Sequence, residues 1–117
     1  MRIKEAQQRV DEWIGQFEEG YWPPLVNLAR ISEEVGELAR EVNHRYGPKA
    51  KKETESDSDL ELEVGDVLFA LICLANSVDI DLERALERTL AKYRARDSFR
   101  WERKDEGSPQ QGTDRLP

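Results

Sequence analysis

The sequence has one cysteine, Cys73, so no disulfide can close within the chain. Cys73 sits in the apolar run Phe69 to Ala75 and reads as a small buried hydrophobe, since a redox role needs a partner thiol. Histidine is equally scarce. The single one, His44, completes Glu41-Val42-Asn43-His44, an E-x-x-H. Di-iron helical bundles use two such motifs plus two further carboxylates, so one chain cannot supply the set and only a site shared across a dimer could. Excess positive charge is missing too. A net charge of −7 excludes broad, nonspecific binding to a nucleic-acid polymer, which requires a basic footprint. It leaves room for a small phosphorylated ligand, because a bound cation can reverse the local sign. No apolar run approaches the roughly 18 residues that span a bilayer. Met1-Arg2-Ile3-Lys4-Glu5 lacks the apolar segment of a secretory signal. The expectation is a cytoplasmic protein with no membrane partner.

What is present is helical periodicity. The 117 residues suffice for one modest core, and charged residues (37%) nearly match hydrophobic ones (38%), a balance suited to helices with salt-rich surfaces. Ile3, Ala6, Val10, Trp13, Ile14 and Phe17 recur with a 3.6-residue period and predict a first helix ending near Gly20. Tyr21-Trp22-Pro23-Pro24 makes a stiff connector, with Pro24 suited to the first turn of a second helix that runs to about Arg45. Leu28, Ile31, Val35, Leu38 and Val42 form an apolar stripe on it, bordered by Glu34, Glu37 and Glu41, with Glu33 farther round. Gly47-Pro48 closes that helix. Lys49 to Ser56 reads as a polar loop, and Ser56-Asp57-Ser58 offers caps for a third helix from about Ser58 to Val78.

From Val67 to Ala75 the third helix is apolar all round, which predicts burial on every side. Four helices of one chain struggle to cover such an element, so a homodimer or homotetramer is expected. Asp79 or Asp81 caps a fourth helix whose inner face is Leu82, Ala85, Leu86, Thr89, Leu90 and Tyr93, and which fades after Trp101. No segment shows a period-2 strand pattern. The fold class expected is all-α, a four-helix bundle completed by homo-oligomerisation, with a domain over residues 1–104 and a disordered tail over 105–117.

Two acidic repeats stand out: Glu33-Glu34-Val35-Gly36-Glu37-Leu38 and Glu61-Leu62-Glu63-Val64-Gly65-Asp66-Val67. Each sets two carboxylates three residues apart, Glu34 with Glu37 and Glu63 with Asp66. On a helix, such residues share a face at about 5–6 Å between Cβ atoms. Among 25 acidic residues either pair alone can arise by chance. Together they are harder to dismiss, because both border core stripes and both enclose a glycine, Gly36 or Gly65, that thins the helix. Asp66, inside the apolar part of its helix, is the costliest placement, since a buried carboxylate needs a partner, a metal or a raised pKa. Four oxygen donors suit a hard cation such as Mg²⁺, with Mn²⁺ as a substitute.

E-E-V-G-E-L followed after a loop by E-V-G-D-V-L resembles the E-x-x-E … E-x-x-D signature of the MazG-like all-α nucleoside triphosphate pyrophosphohydrolases. The resemblance spans roughly Gly20 to Arg96 and includes Tyr21-Trp22-Pro23-Pro24 and Lys92-Tyr93-Arg94. It implies Mg²⁺-dependent hydrolysis of a nucleoside triphosphate to the monophosphate and pyrophosphate, in a dimer or tetramer of helical bundles. It also implies that Glu34, Glu37, Glu63 and Asp66 hold the metal.

Other residues carry two readings each. Glu33 either orients or deprotonates the attacking water or is simply solvated. Lys92 and Arg96, four apart, suit the outer phosphates, or belong to a solvated face with Arg84, Arg88, Arg94 and Arg100. Lys49, Lys51 and Lys52 either cover the triphosphate or form a solvated loop. Trp22 can stack on a base or plug the bundle end. Asn76, polar in a buried helix, calls for a specific partner, and a nucleotide held by another subunit is one candidate. The rival to an enzyme is a non-catalytic helical dimerisation or metal-binding module in which the acids only solubilise the bundle.

Overall fold

The structure, a computed structural model, describes residues 1–48 and 59–104. Within them lie four α-helices and no strand: α1 Ile3–Gly15, α2 Pro24–Tyr46, α3 Leu60–Ser77 and α4 Leu82–Asp97. The protein is all-α, as its periodicity predicts. The chain divides into two units, residues 1–83 and 84–117. The lysines of the 49–58 segment, the Ser56-Asp57-Ser58 caps and the 105–117 tail lie outside the described residues.

Local chemistry sets the helix ends. Pro23 caps α2 in an extended conformation and Pro24 occupies the first turn, while the Val26 and Asn27 N–H groups donate to the Pro23 carbonyl at 2.9 and 3.0 Å. Asp59 caps α3, its side chain accepting from the Glu61 N–H at 2.9 Å. The first helix is shorter than its apolar pattern suggests: it stops at Gly15, and the chain turns through Gly20, whose φ of +64 only glycine adopts freely. The fourth likewise ends at Asp97 rather than Trp101.

Asp81 and Asp79 take different parts. Asp81 accepts from the Glu83 N–H at 3.0 Å and so caps α4. Asp79 instead closes α3. It has a left-handed φ of 57, and the Ile80 N–H reaches back to the Ala75 carbonyl at 2.8 Å while the Asp79 N–H donates to Asn76 at 3.4 Å. That is a Schellman closure with an aspartate where glycine is usual.

In the unit formed by residues 1–83, α3 packs along α2 and also against α1. The core on α3 is Ala70, Ile72, Cys73 and Ala75. On α2 the buried residues are Asn27, Glu34 and Glu41, not the apolar stripe. Leu28, Val35 (46% exposed) and Val42 face outward, as do Val64, Leu68 (52% exposed) and Leu71 on α3. The expectation that the glutamates merely border a buried apolar stripe is therefore corrected: within one chain α2 is turned so that carboxylates face α3. The expectation that α3 is buried all round is corrected with it. Gly36 and Gly65 do not thin a contact within the chain, since a Cβ at either would meet nothing.

Gln7 ties α1 to the far end of α3. Its side-chain amide donates to Asn76 Oδ1 (2.9 Å) and the Ile80 carbonyl (2.8 Å), and its Oε1 accepts from the Leu82 N–H (2.9 Å). In the unit formed by residues 84–117, Asp97 is buried between Arg96 (3.1 Å) and Arg100 (3.5 Å). The Arg96 guanidinium holds the Asp97 carboxyl below the usual aspartate range.

Replacing Asp79 by glycine removes a left-handed non-glycine residue and should raise unfolding stability by about 0.5–1 kcal/mol in a denaturant titration. Gln7→Ala strands the Asn76 carbonyl and the first N–H of α4, and should lower stability by about 1–3 kcal/mol in the same measurement.

Candidate functional site

The carboxylates of α2 and α3 meet where these helices pack. Glu34, Glu37 and Glu63 each offer an oxygen, and these lie within 4.8 Å of one another, the one such group of three among the described residues. Glu34 is only 7% exposed, Glu63 is partly buried and Glu37 is exposed. Glu34 Oε1 accepts from Arg30 Nε at 2.8 Å. Its Oε2 and the Oε2 of Glu63 are shut off from solvent without a hydrogen-bond partner. Orphaned carboxylate oxygens in the interior are costly, and two of them in one acidic cluster repel as well. Burial, and then the negative charges of Glu37, Asp66, Glu34 and Glu41, push the Glu63 carboxyl above its ordinary value. A donor set made only of carboxylate oxygens, two lacking any donor, fits a hard divalent cation.

Asp66 stands apart from the three. It is exposed, which corrects the expectation of a buried carboxylate, yet it is near enough for its charge to act on both Glu63 and Arg30. Asp66 lies on the same helical face as the buried Ala70 and Cys73 but one turn nearer the start of α3, where that face is open. Glu33 is exposed, and its charge also reaches Arg30. Glu41 is buried beyond the cluster and accepts from Arg45 Nε at 2.8 Å. His44 is not among the three clustered residues.

Beside the carboxylates lies a cavity of about 220 Å³ walled by Trp13, Phe17, Tyr21, Trp22, Asn27 and Arg30. Trp13 and Phe17 meet edge to face at 5.2 Å. Asn27, almost fully buried, donates to the Trp22 carbonyl at 3.1 Å and so fixes the connector that carries the indole. The Arg30 guanidinium lies 5.5 Å from the Trp22 ring centroid. One guanidinium thus borders both the aromatic cavity and the acidic cluster. Cys73 also lines the cavity; burial pushes its thiol up, opposed by Arg30, which disfavours the reactive thiolate.

Asn76 finds its partners within the chain. Its amide donates to the Gln7 carbonyl (3.0 Å) and the Tyr21 hydroxyl (2.9 Å), and its oxygen accepts from Gln7. Tyr21 in turn donates to Asp11 at 2.8 Å. Burial, opposed by Asn76 and reinforced by Asp11, pushes the Tyr21 phenol up to about 12. Asn76 therefore braces the cavity wall. Lys92 and Arg96 belong to the other unit, where both lie over the Tyr93 ring, at 4.9 and 5.0 Å. The Arg96 fork is engaged by Asp97. The pattern of the sequence marks Tyr21 only as part of the connector and does not mark Gln7, Asn27 or Arg30 as site residues. Only Arg30 left a signal, its spacing of four from Glu34 on one helix.

The MazG nucleotide pyrophosphohydrolase domain family matches residues 23–101, a span that contains the acidic group. The chain belongs to that family. Its likeness to particular members is high. It is 60% identical over 105 residues, 90% of this chain and 95% of the relative, to the Bacillus subtilis (strain 168) protein YpjD, itself described as uncharacterized. A crystal structure of B. subtilis YpjD, described as a candidate pyrophosphatase, superposes with a TM-score of 0.73 at 59% identity, covering 80% of this chain and 95% of that one. A Bacillus-conserved MazG protein, described as a nucleotide pyrophosphohydrolase, superposes with a TM-score of 0.70 at 44% identity, covering 92% and 97%. The protein is an enzyme of the nucleotide pyrophosphohydrolase class, and the non-catalytic helical module is set aside.

The raised Glu63 pKa has a definite consequence for stability. A carboxyl whose folded pKa exceeds its unfolded value stabilises the fold below the unfolded value, and that contribution is lost as pH rises through the folded one. In chelator, the melting temperature of Glu63→Gln should exceed that of wild type by a margin that widens as pH climbs above 4.5, the ordinary glutamate value.

Proposed function

We propose that this protein hydrolyses nucleoside triphosphates, ribo or deoxy, to the monophosphate and pyrophosphate in a Mg²⁺-dependent reaction, clearing unwanted nucleotides from the cytoplasm. The observation that carries this reading is the meeting of Glu34, Glu37 and Glu63, two of them with orphaned inward oxygens, beside an aromatic cavity. Glu34, Glu37 and Glu63 would hold the cation, with Asp66 at the rim as the fourth carboxylate. A Mg²⁺ held there would supply the positive charge that the triphosphate oxygens require and would lower the pKa of the attacking water. A chain carrying −7 needs such a counter-charge to accept a polyphosphate at all.

The remaining work falls to side chains. Glu33, exposed one position from Glu34, orients the water and takes its proton. The water oxygen joins phosphorus at the α–β bridge, the bridging P–O bond breaks and pyrophosphate departs. Trp22 stacks on the base at the cavity mouth, backed by Asn27 and Arg30. Lys92 and Arg96 take the outer phosphates, Arg96 after exchanging Asp97 for phosphate. Asn76 serves through Tyr21, as a brace of the cavity.

Assembly into a homodimer or homotetramer is supported by apolar rows that stay exposed among the described residues, Leu28, Val35 and Val42 on α2 and Val64, Leu68 and Leu71 on α3. The open space beside Gly36 and Gly65 suits close approach of a second copy. A cytoplasmic location is in keeping with the helices, none of which, among the described residues, is long and apolar enough to cross a membrane.

The deciding experiment is a nucleotide panel with Mg²⁺, scoring pyrophosphate against orthophosphate for wild type and Glu37→Ala. Pyrophosphate release should drop by on the order of 100-fold in the variant, with no loss of melting temperature in chelator. Activity that survives the substitution, or orthophosphate as the sole product, would overturn the assignment.

A further inference from the structure

Arg30 is held from two sides. Its Nε donates to Glu34 Oε1 at 2.8 Å, and its guanidinium lies over the Trp22 ring at 5.5 Å. The hydrogen bond it donates to Glu34, four residues on along α2, keeps Arg30 more firmly protonated than a free arginine. The consequence falls on Glu34. One of its oxygens is hydrogen-bonded to a fixed cation and the other is buried without a donor, in a residue that groups with Glu37 and Glu63. A carboxylate left to itself beside a hard cation can bind through one oxygen or through both. Here Oε1 is already taken.

We infer that Arg30 is a positioning residue of the carboxylate site, occupying Oε1 of Glu34 so that this carboxylate offers a divalent cation only Oε2. The inference rests on the reading of Glu34, Glu37 and Glu63 as a metal site. Its functional sense lies in restraint. Mg²⁺ demands octahedral geometry and works on phosphates when few positions are taken by protein. A guanidinium that blocks the second oxygen, and adds repulsion of its own, keeps the cation loosely held and open to triphosphate oxygens. The stacking on Trp22 supplies rigidity, since a freely rotating arginine could not hold one carboxylate oxygen selectively. It also places the cavity wall and the metal ligand on opposite sides of the same side chain.

The test is Mn²⁺ binding by the full-length protein, followed through the electron paramagnetic resonance signal of the free ion. Wild type, Arg30→Gln, Arg30→Lys and Glu63→Gln are compared. Arg30→Gln frees Oε1 and removes a positive charge. Even with full water screening, losing a unit positive charge beside a divalent ion should tighten binding on the order of tenfold. The Mn²⁺-induced rise in melting temperature should grow in step, and kcat should decrease. Arg30→Lys keeps the charge without the planar fork and should fall between, and it carries the comparison if Arg30→Gln does not fold. An arginine that merely braced the helix would lower the melting temperature of the chelated protein and leave Mn²⁺ affinity alone. Unchanged or weaker Mn²⁺ binding in the Arg30 variants, with Glu63→Gln still impaired, overturns the role of Arg30 only. Wild-type affinity in Glu63→Gln overturns the metal site itself and the inference with it.

Discussion

Glutamates occupy the place where α2 and α3 press together, and their mutual repulsion shapes much of what surrounds them. Helix pairs ordinarily close on apolar side chains. Here Glu34 and Glu41 are the buried residues of the middle and end of α2, facing α3 and its Glu63. Two arginines answer this within α2 itself, Arg30 on Glu34 and Arg45 on Glu41, each at 2.8 Å and each four residues from its partner. The neutralisation is incomplete, since the inward oxygens of Glu34 and Glu63 have no donor. A fold that tolerates such a deficit in its interior has a site whose energetics improve when positive charge arrives.

The same turn of α2 that buries carboxylates puts apolar residues outside. Among the described residues no large side chain is fully buried, and the α3 core is small: Ala70, Ile72, Cys73 and Ala75. Part of the hydrophobic area that ordinarily supports a domain of this size therefore lies on its surface, as Val35 and Leu68 do. The polar interior and the apolar exterior are two faces of one helical rotation.

Around this centre a hydrogen-bonded chain gives the cavity its shape. Asp11, Tyr21, Asn76 and Gln7 link α1, the Pro-rich connector and the end of α3, while Asn27 pins the Trp22 carbonyl. These are neutral or well-paired contacts in contrast to the strained carboxylates, and they hold the aromatic wall beside the acids. The division makes physical sense. Binding surfaces work best when the groups meant to respond to a ligand are unsatisfied and the scaffold that holds them is not.

Much of this was legible in the sequence and some was not. The 3.6-residue period locates four helices, Pro23-Pro24 and Asp81 mark the starts of α2 and α4, and the two E-x-x-E/D repeats single out three acids that do meet, while α3 is capped by Asp59 and not from Ser56-Asp57-Ser58. Those inferences depend on local rules, the rise and turn of a helix and the capping of its end, which tertiary context rarely overrules. Hydrophobic pattern alone assigns apolar residues inward, whereas Val35 and Val42 stay exposed and Glu34 and Glu41 are buried. The same rule assigns Asp66, set among apolar neighbours, to an interior it does not occupy. Gln7 is ordinary in sequence, and its part depends on contacts as many as 75 residues apart along the chain, as with Leu82. Helices, acidic pairs and family are legible in the order of the residues, because each rests on how a single helix winds. Which carboxylates face one another, and which arginine stands between them and the aromatic cavity, is set by how helices pack.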